Sequence, residues 1–214
     1  MKTTSESVRD AFHYLYPDEL PFLKKLVASI KNDNPIVVNI GAGSGTSGLA
    51  ILESRPYVTL VTIDITDESS PFGCLAAERQ VITNAGFGNL FGIRWFQIHA
   101  RSQEVAKSWG KTTLVDKLMG KVDMVFVDGG HSYQDCYDDV HGWLPHIKSG
   151  GVLAVHDYNK QTIKYTPEGP HPKPWFDVNK VVDEELVGRY RMIGCVDSLI
   201  AFEVTDNKQQ SVTT

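Results

Sequence analysis

The residues best suited to chemistry stand at the ends of apolar stretches. VDMVFV runs into Asp128-Gly129-Gly130-His131, and GVLAV runs into His156-Asp157-Tyr158. Two carboxylates and two imidazoles so placed can move protons near neutral pH, where imidazole titrates. They also offer oxygen and nitrogen ligands to a divalent metal. A third group suits a different task. In VVNIGAGSGTSGLAIL an apolar run ends at Ile40, Gly41, Gly43 and Gly45 follow, and a helix-like segment begins at Thr46. Glycines there let backbone N–H groups approach a polar or anionic cofactor at a helix N-terminus. The next apolar run, YVTLVTID, closes on Asp64. That carboxylate lies about twenty residues past the glycines, where an acid accepts hydrogen bonds from ribose hydroxyls.

The glycines admit two registers. The dinucleotide pattern G-x-G-x-x-G, counted from the strand end, meets Thr46 at its third position, and the literal match at Gly43, Gly45 and Gly48 starts two residues late. The tighter G-x-G-x-G of Gly41, Gly43 and Gly45 begins directly at the strand end.

Alternating strands and helices must position these residues. Strands are expected over 36–40, 57–65, 93–98, 122–127 and 151–155, and a closing hairpin over 190–195 and 198–204. Helices are expected over 5–14, 18–30, 46–54, 74–86, 102–109 (continued by 114–119), 134–147 and 176–186. The alternation implies an α/β, doubly wound, mostly parallel sheet with an antiparallel hairpin at one edge. Ligands of such sheets bind at the carboxyl ends of the strands. Gly41, Asp64, Ala100 to Ser102, Asp128 and His156-Asp157 should therefore share one crevice.

These features together resemble the class I methyltransferases that use S-adenosylmethionine (SAM). G-x-G-x-G is similar to their motif I. A strand ending in DGxHSY, a helix, an LPxxKxGG turn and a strand ending in HDY resemble one branch of them, small bacterial enzymes related to sugar O-methyltransferases of antibiotic pathways. The likeness runs from about Ile36 to Val204. It implies the seven-stranded Rossmann-like fold and SAM as cofactor. Gly41, Ala42, Gly43, Ser44 and Gly45 would cradle the methionyl end. Asp64 and Ile65 would meet the ribose, Arg101 and Ser102 would flank adenine, and Asp128 with Gly129 would lie between cofactor and acceptor. The expected reaction is methyl transfer to a hydroxyl of a small molecule, with Asp128, His131, His156 and Asp157 facing the methyl group. His131 or His156 is the candidate base. In related metal-dependent enzymes an acid after the fourth strand and an acidic pair after the fifth hold Mg²⁺, which here places a divalent ion on Asp128, His156 and Asp157. Histidine in that set suits softer ions than Mg²⁺.

Two departures from the pattern stand out. Asn39 occupies a usually acidic position of motif I, and Arg101 stands where an acid is expected near the adenine amino group. The segment NKQTIKYTPEGPHPKPWF is long for an α/β connection and follows the fifth strand. Tyr158, Tyr165, His171 and Trp175 are its candidate acceptor contacts. Asp138-Asp139 reads as a solvated helix face, and Trp95, Trp109 and Trp143 as core.

The 214 residues fit one domain, with N-terminal helices over 1–35, a core over 36–204 and a polar tail over 205–214. A net charge of −5 and the absence of a basic run argue against nucleic acid as a partner. Three scattered cysteines, no signal-peptide-like apolar segment and no membrane-length run point to the cytoplasm. A homo-oligomer is compatible with the sequence. Two other functions compete with methyl transfer: an NAD(P)-binding oxidoreductase, and a SAM-binding module without catalysis.

Overall fold

The computed structural model describes residues 4–12, 14–67, 74–111, 121–158 and 177–205, with the backbone of 165–166 and 169–170. Five apolar runs form the parallel strands β1 (Ile36–Ile40), β2 (Thr59–Asp64), β3 (Trp95–His99), β4 (Val122–Val127) and β5 (Ile147–Val155). A separate two-stranded ribbon pairs β6 (Tyr165–Thr166) with β7 (Gly169–Pro170). The terminal hairpin, β8 (Arg191–Val196) and β9 (Leu199–Val204), joins the main sheet antiparallel through β9 and β5. The sheet order is β3-β2-β1-β4-β5-β9-β8. This is the doubly wound, seven-stranded arrangement that the alternation and the family resemblance predict.

Successive side chains of a strand point to opposite faces, and here both faces are apolar. Val38, Ile40, Val125, Val127, Leu153 and Val155 pack beneath α5 (Ser102–Ser108), α6 (Tyr133–Trp143) and α7 (Val178–Glu185). Val37, Met124, Phe126, Val152 and Ala154 pack against α1 (Ser5–Phe12), α2 (Glu19–Ser29) and α3 (Thr46–Ser54). Helix α4 (Leu75–Ile82) adds Ile82 to that second layer. Trp109 and Trp143 meet edge-on, 4.9 Å apart, inside the first layer.

At one junction two boundaries differ from expectation by four residues. The helix expected to reach residue 147 ends at Trp143. Pro145 lacks the N–H that would extend the α-helical hydrogen bonding, and a 3₁₀ turn, Leu144–His146, follows. Strand β5 then starts at Ile147, four residues early, across an irregularity in its pairing with β4. The helix expected over 114–119 lies outside the described residues. Among the described residues no helix is long and apolar enough to cross a membrane.

The pairing continues one residue beyond the strands. Gly41 N–H donates to Ile63 O, Asp128 N–H to Ile40 O and His156 N–H to Val127 O, each at 2.9 Å. The first residue of each of these three loops is thus held by the sheet itself.

Candidate active site

A cavity of ≈ 470 Å³ opens along these strand ends. That size is ordinary for a small-molecule or cofactor site. Gly41, Gly43, Asp64, Ile65, Arg101, Ser102, Asp128, Gly129, His131, His156 and Asp157 all line it. Ala42, Ser44 and Gly45 of the same loop do not line it. Tyr14 and Asp139 line it too, and neither is marked for it by the sequence.

The glycine loop owes its shape to two close approaches. Gly41 has φ +92, and a Cβ there would stand 2.1 Å from the Asp128 carbonyl oxygen. Glycine thus lets the loop after β1 touch the loop after β4. At Gly48 an added Cβ would fall 2.2 Å from Glu78 Oε1, so this glycine makes room for α4. Glu78 is fully buried, accepting from Thr62 Oγ1 at 2.9 Å and Gln97 Nε2 at 2.7 Å. Burial pushes its carboxyl up to about 7. Asp64 pins the loop: Oδ2 accepts from Ala42 N–H and Oδ1 from Thr66 N–H, each at 2.7 Å. A carboxylate oxygen has two acceptor sites, so each still has one for a ribose hydroxyl. Asn39 donates through Nδ2 to Gly41 O at 3.1 Å. Its Oδ1 is buried without a hydrogen-bond partner among the described residues.

At the other end of the cavity the two histidines have separate surroundings. His156 is buried, with Nδ1 2.9 Å from Asp128 Oδ1 and Nε2 3.0 Å from Glu19 Oε2. Burial alone would lower its pKa. The charge and hydrogen bond of Asp128, with hydrogen bonds to Asp157 and Glu19, outweigh burial and hold the pKa well above the usual histidine value. His156 is therefore an imidazolium between carboxylates, with neither nitrogen disposed to take a proton or a metal. Glu19 completes the arrangement from α2. It accepts from Tyr16 N–H at 2.6 Å, Ser198 N–H at 2.7 Å and Ser198 Oγ at 2.6 Å, besides His156. Burial raises its pKa, but these donors, His156 first, bring it below the usual carboxylate value.

His131 stands at the cavity with 34% of its side chain exposed, and its Nε2 lies 3.0 Å from Asp157 Oδ2. Asp157 holds φ +62, uncommon for a residue with a side chain. One ligand atom each from Asp128, His131 and Asp157 lies within 4.8 Å of the others. The converging set thus contains His131 in place of His156, which the family resemblance puts among the metal ligands.

Other expectations shift as well. Tyr158 donates its hydroxyl to Asp183 Oδ1 in α7 at 2.9 Å and does not line the cavity. Tyr165 is described in backbone only, and His171 and Trp175 lie outside the described residues. Ser102 donates its hydroxyl to Asp139 Oδ1, and both residues are buried. The solvated face expected at Asp138-Asp139 is therefore interrupted by a buried acid. Sequence reasoning misses Glu19, Glu78 and Asp139 as site or core residues. Helical phase carries the signal for the last two: Glu78 falls three after Leu75 and four before Ile82, and Asp139 falls three after Cys136 and four before Trp143.

A family model described as "Methyltransferase domain" matches residues 38–158, more than half of the chain. The chain belongs to this methyltransferase family. The matched span holds the glycine loop, Asp64, Asp128, His131, His156 and Asp157. Solved structures share the methyltransferase fold at low identity. A Staphylococcus aureus protein assigned as a caffeoyl-CoA O-methyltransferase is 15% identical, with 95% of this chain and 93% of that one covered and a TM-score of 0.68. The Podospora anserina methyltransferase PaMTH1, solved with S-adenosylhomocysteine (SAH), is 17% identical over 94% of this chain and 88% of its own, with a TM-score of 0.63. MycE, a methyltransferase of the mycinamycin biosynthetic pathway solved with Mg and SAH, is 17% identical. It covers all of this methyltransferase with 58% of its own length, at a TM-score of 0.59. Among curated proteins, R132 of Acanthamoeba polyphaga mimivirus is 25% identical over 178 residues, 81% of this chain and 73% of that protein.

Proposed function

We propose that the protein transfers a methyl group from SAM to a hydroxyl oxygen of a small-molecule acceptor. One observation carries this reading: a single cavity joins the glycine loop, Asp64 and the Asp128–His131–Asp157 group at the strand ends of a methyltransferase-family fold. The loop at Gly41 and Gly43 receives the methionyl end, and Asp64 receives the ribose. The sulfonium supplies the reactivity, and the protein must place the acceptor in line and remove its proton. His131 fills the second role. When Nε2–H is donated to Asp157, the lone pair resides on Nδ1, the nitrogen that takes the hydroxyl proton. Asp157 fixes that tautomer and stabilises the imidazolium formed. His156, with both nitrogens facing carboxylates, holds Asp128 in place.

Asp128, His131 and Asp157 are also the residues that would hold a divalent ion. Two carboxylates and an imidazole fit a first-row transition ion better than Mg²⁺, although the similarly folded MycE was solved with Mg. A bound ion would supply acidification of the acceptor hydroxyl. The test is methyl transfer from labelled SAM across a panel of hydroxylated small molecules, with EDTA and with Mg²⁺, Mn²⁺ or Zn²⁺ restored, beside calorimetric titration of SAH. Tight SAH binding with no turnover on any acceptor would favour a binding module. Turnover insensitive to EDTA would remove the metal and leave His131 as base.

A further inference from the structure

The two edges of the main sheet differ. At one edge β3 is covered: Trp95 is buried, and Phe96, Gln97 and Ile98 are half-buried. At the other edge β8 pairs with β9, and among the described residues no strand lies on its far side. Arg191, Met192, Ile193 and Cys195 are exposed there, Met192 at 56% and Ile193 at 38%. Proteins commonly blunt such an edge with proline or lysine, and β8 holds neither. One irregularity interrupts its pairing with β9, and the extra residue is the exposed Ile193. Unpaired backbone N–H and C=O groups flanked by exposed apolar side chains form a template for another strand.

The charges at the two ends of β8 say which strand. Arg191 opens it. Its Nε and Nη2 donate to Glu203, and Nη1 has no partner among the described residues. Asp197 follows its last residue, exposed in the turn to β9 with φ +49. No cation pairs with Asp197 among the described residues. Partial desolvation, and then the like charges of Glu19 and Asp18, raise its carboxyl above the ordinary aspartate value. The strand thus has an arginine with a spare donor at one end and an uncompensated acid at the other. A second β8 laid antiparallel brings each Arg191 to the other copy's acidic end, twice by two-fold symmetry. It also sets Met192 and Ile193 of each copy toward Val196 and Cys195 of the other. A parallel copy would instead set Arg191 beside Arg191.

We infer that two copies of this chain associate through β8, paired antiparallel about a two-fold axis, so that their sheets join into one of fourteen strands. Arg191 of each copy is neutralised by Asp197 of the other, and Met192 and Ile193 are covered. The turn at this interface also carries Ser198, whose N–H and hydroxyl hold Glu19. The contact therefore adjoins the corner that fixes His156, without depending on which acceptor the site takes.

Sedimentation velocity over roughly 1–200 μM protein covers the range in which an interface this small associates. The wild-type protein should pass from monomer to dimer across it. Ile193→Lys puts a charge in the middle of the contact and should raise the dissociation constant about tenfold or more. Arg191→Glu and Asp197→Lys should each do the same, since each turns two attractions into two repulsions. An equimolar mixture of those two variants should regain wild-type association, because only the mixed dimer pairs opposite charges at both ends. Lysine at 197 must take a left-handed backbone. Asp197→Asn, which accepts that backbone, is therefore the companion variant and should weaken the dimer about threefold. Far-UV circular dichroism verifies that each variant is folded. Wild-type protein that stays monomeric throughout overturns the inference and leaves the edge to another protein or to the chain's own last residues. A dimer that Ile193→Lys leaves intact lies on a different face and overturns it too. Folded single variants that dissociate but do not recover on mixing overturn the antiparallel pairing on which it rests.

Discussion

Replacing Glu19 by glutamine is the sharpest probe of how the site is held. The change is nearly isosteric and removes one charge. Oε1 now accepts from Ser198 N–H and Oγ, and Oε2 from Tyr16 N–H and His156. An amide can place its carbonyl on only one of these sides, and its NH₂ then confronts a buried backbone N–H, of Tyr16 or of Ser198. Leaving one such donor without an acceptor costs about 1–3 kcal/mol. The imidazolium of His156 also loses one of its buried counter-charges, and breaking a buried pair costs about 3–5 kcal/mol when the remaining charge has no other partner. Asp128 remains on the other nitrogen, so the two effects together should amount to about 3–5 kcal/mol. In a chain of this size that lowers Tm by about 6–20 °C. Differential scanning calorimetry measures the shift, and NMR titration of His156 should show its pKa falling toward the ordinary value. A Tm within about 2 °C of wild type, with His156 still protonated at high pH, would refute the account of Glu19 as the carboxylate that holds this corner together.

Three further outcomes follow from the same geometry. His131→Gln should lower kcat by about 10²–10⁴-fold, the usual contribution of a positioned base, with SAH affinity unchanged by calorimetry; equal loss of both would make His131 a binding residue. Gly48→Ala should destabilise the fold by up to about 2 kcal/mol, because overpacking against the pinned Glu78, about 1–3 kcal/mol, exceeds the roughly 1 kcal/mol that alanine gains in a helix. In a Glu78→Ala background the same change should become neutral or stabilising, which urea denaturation of the four-protein cycle checks. Glu78 also predicts a pH dependence. Its folded pKa, about 7, lies above the ordinary glutamate value of 4.5, so between those values the folded state keeps a proton that the unfolded chain has released. Unfolding then releases protons, and this group's contribution falls as pH rises through that window and is constant above it. The stability of Glu78→Gln relative to wild type should rise from pH 5 to pH 7.5 and then level; a difference that is flat with pH would show that Glu78 is ionised throughout.

The sheet is legible because strands buried on both faces appear as near-continuous apolar runs, and the candidate site residues stand where those runs stop. The same simplicity hides the division of labour between His131 and His156. Both follow a strand by a few residues in polar surroundings. What separates them is Glu19, which reaches His156 from a helix 137 residues away in the chain. No local pattern records that approach. The buried acids are partly legible. Asp138 and Asp139 are neighbours of identical type, and only the phase of Cys136, Val140 and Trp143 turns the second one inward. Tyr158 is expected as an acceptor contact because it opens the long loop after the fifth strand, but Asp157 before it takes a left-handed backbone, and the Tyr158 side chain meets α7.

The Glu19–Ser198 contact has a consequence for the order of assembly. It joins positions 179 residues apart, so one of the most distant pairs in the sequence meets at the edge of the cavity. During synthesis the glycine loop, Asp64 and Asp128 can all be made and paired before the last hairpin leaves the ribosome, yet Glu19, the second carboxylate of His156, lacks its Ser198 donors until that hairpin docks. A nascent or C-terminally shortened chain would therefore hold most of the cleft with Glu19 missing its Ser198 donors. The last strands of the sheet thus complete the corner that holds His156, and that corner is finished only with the fold.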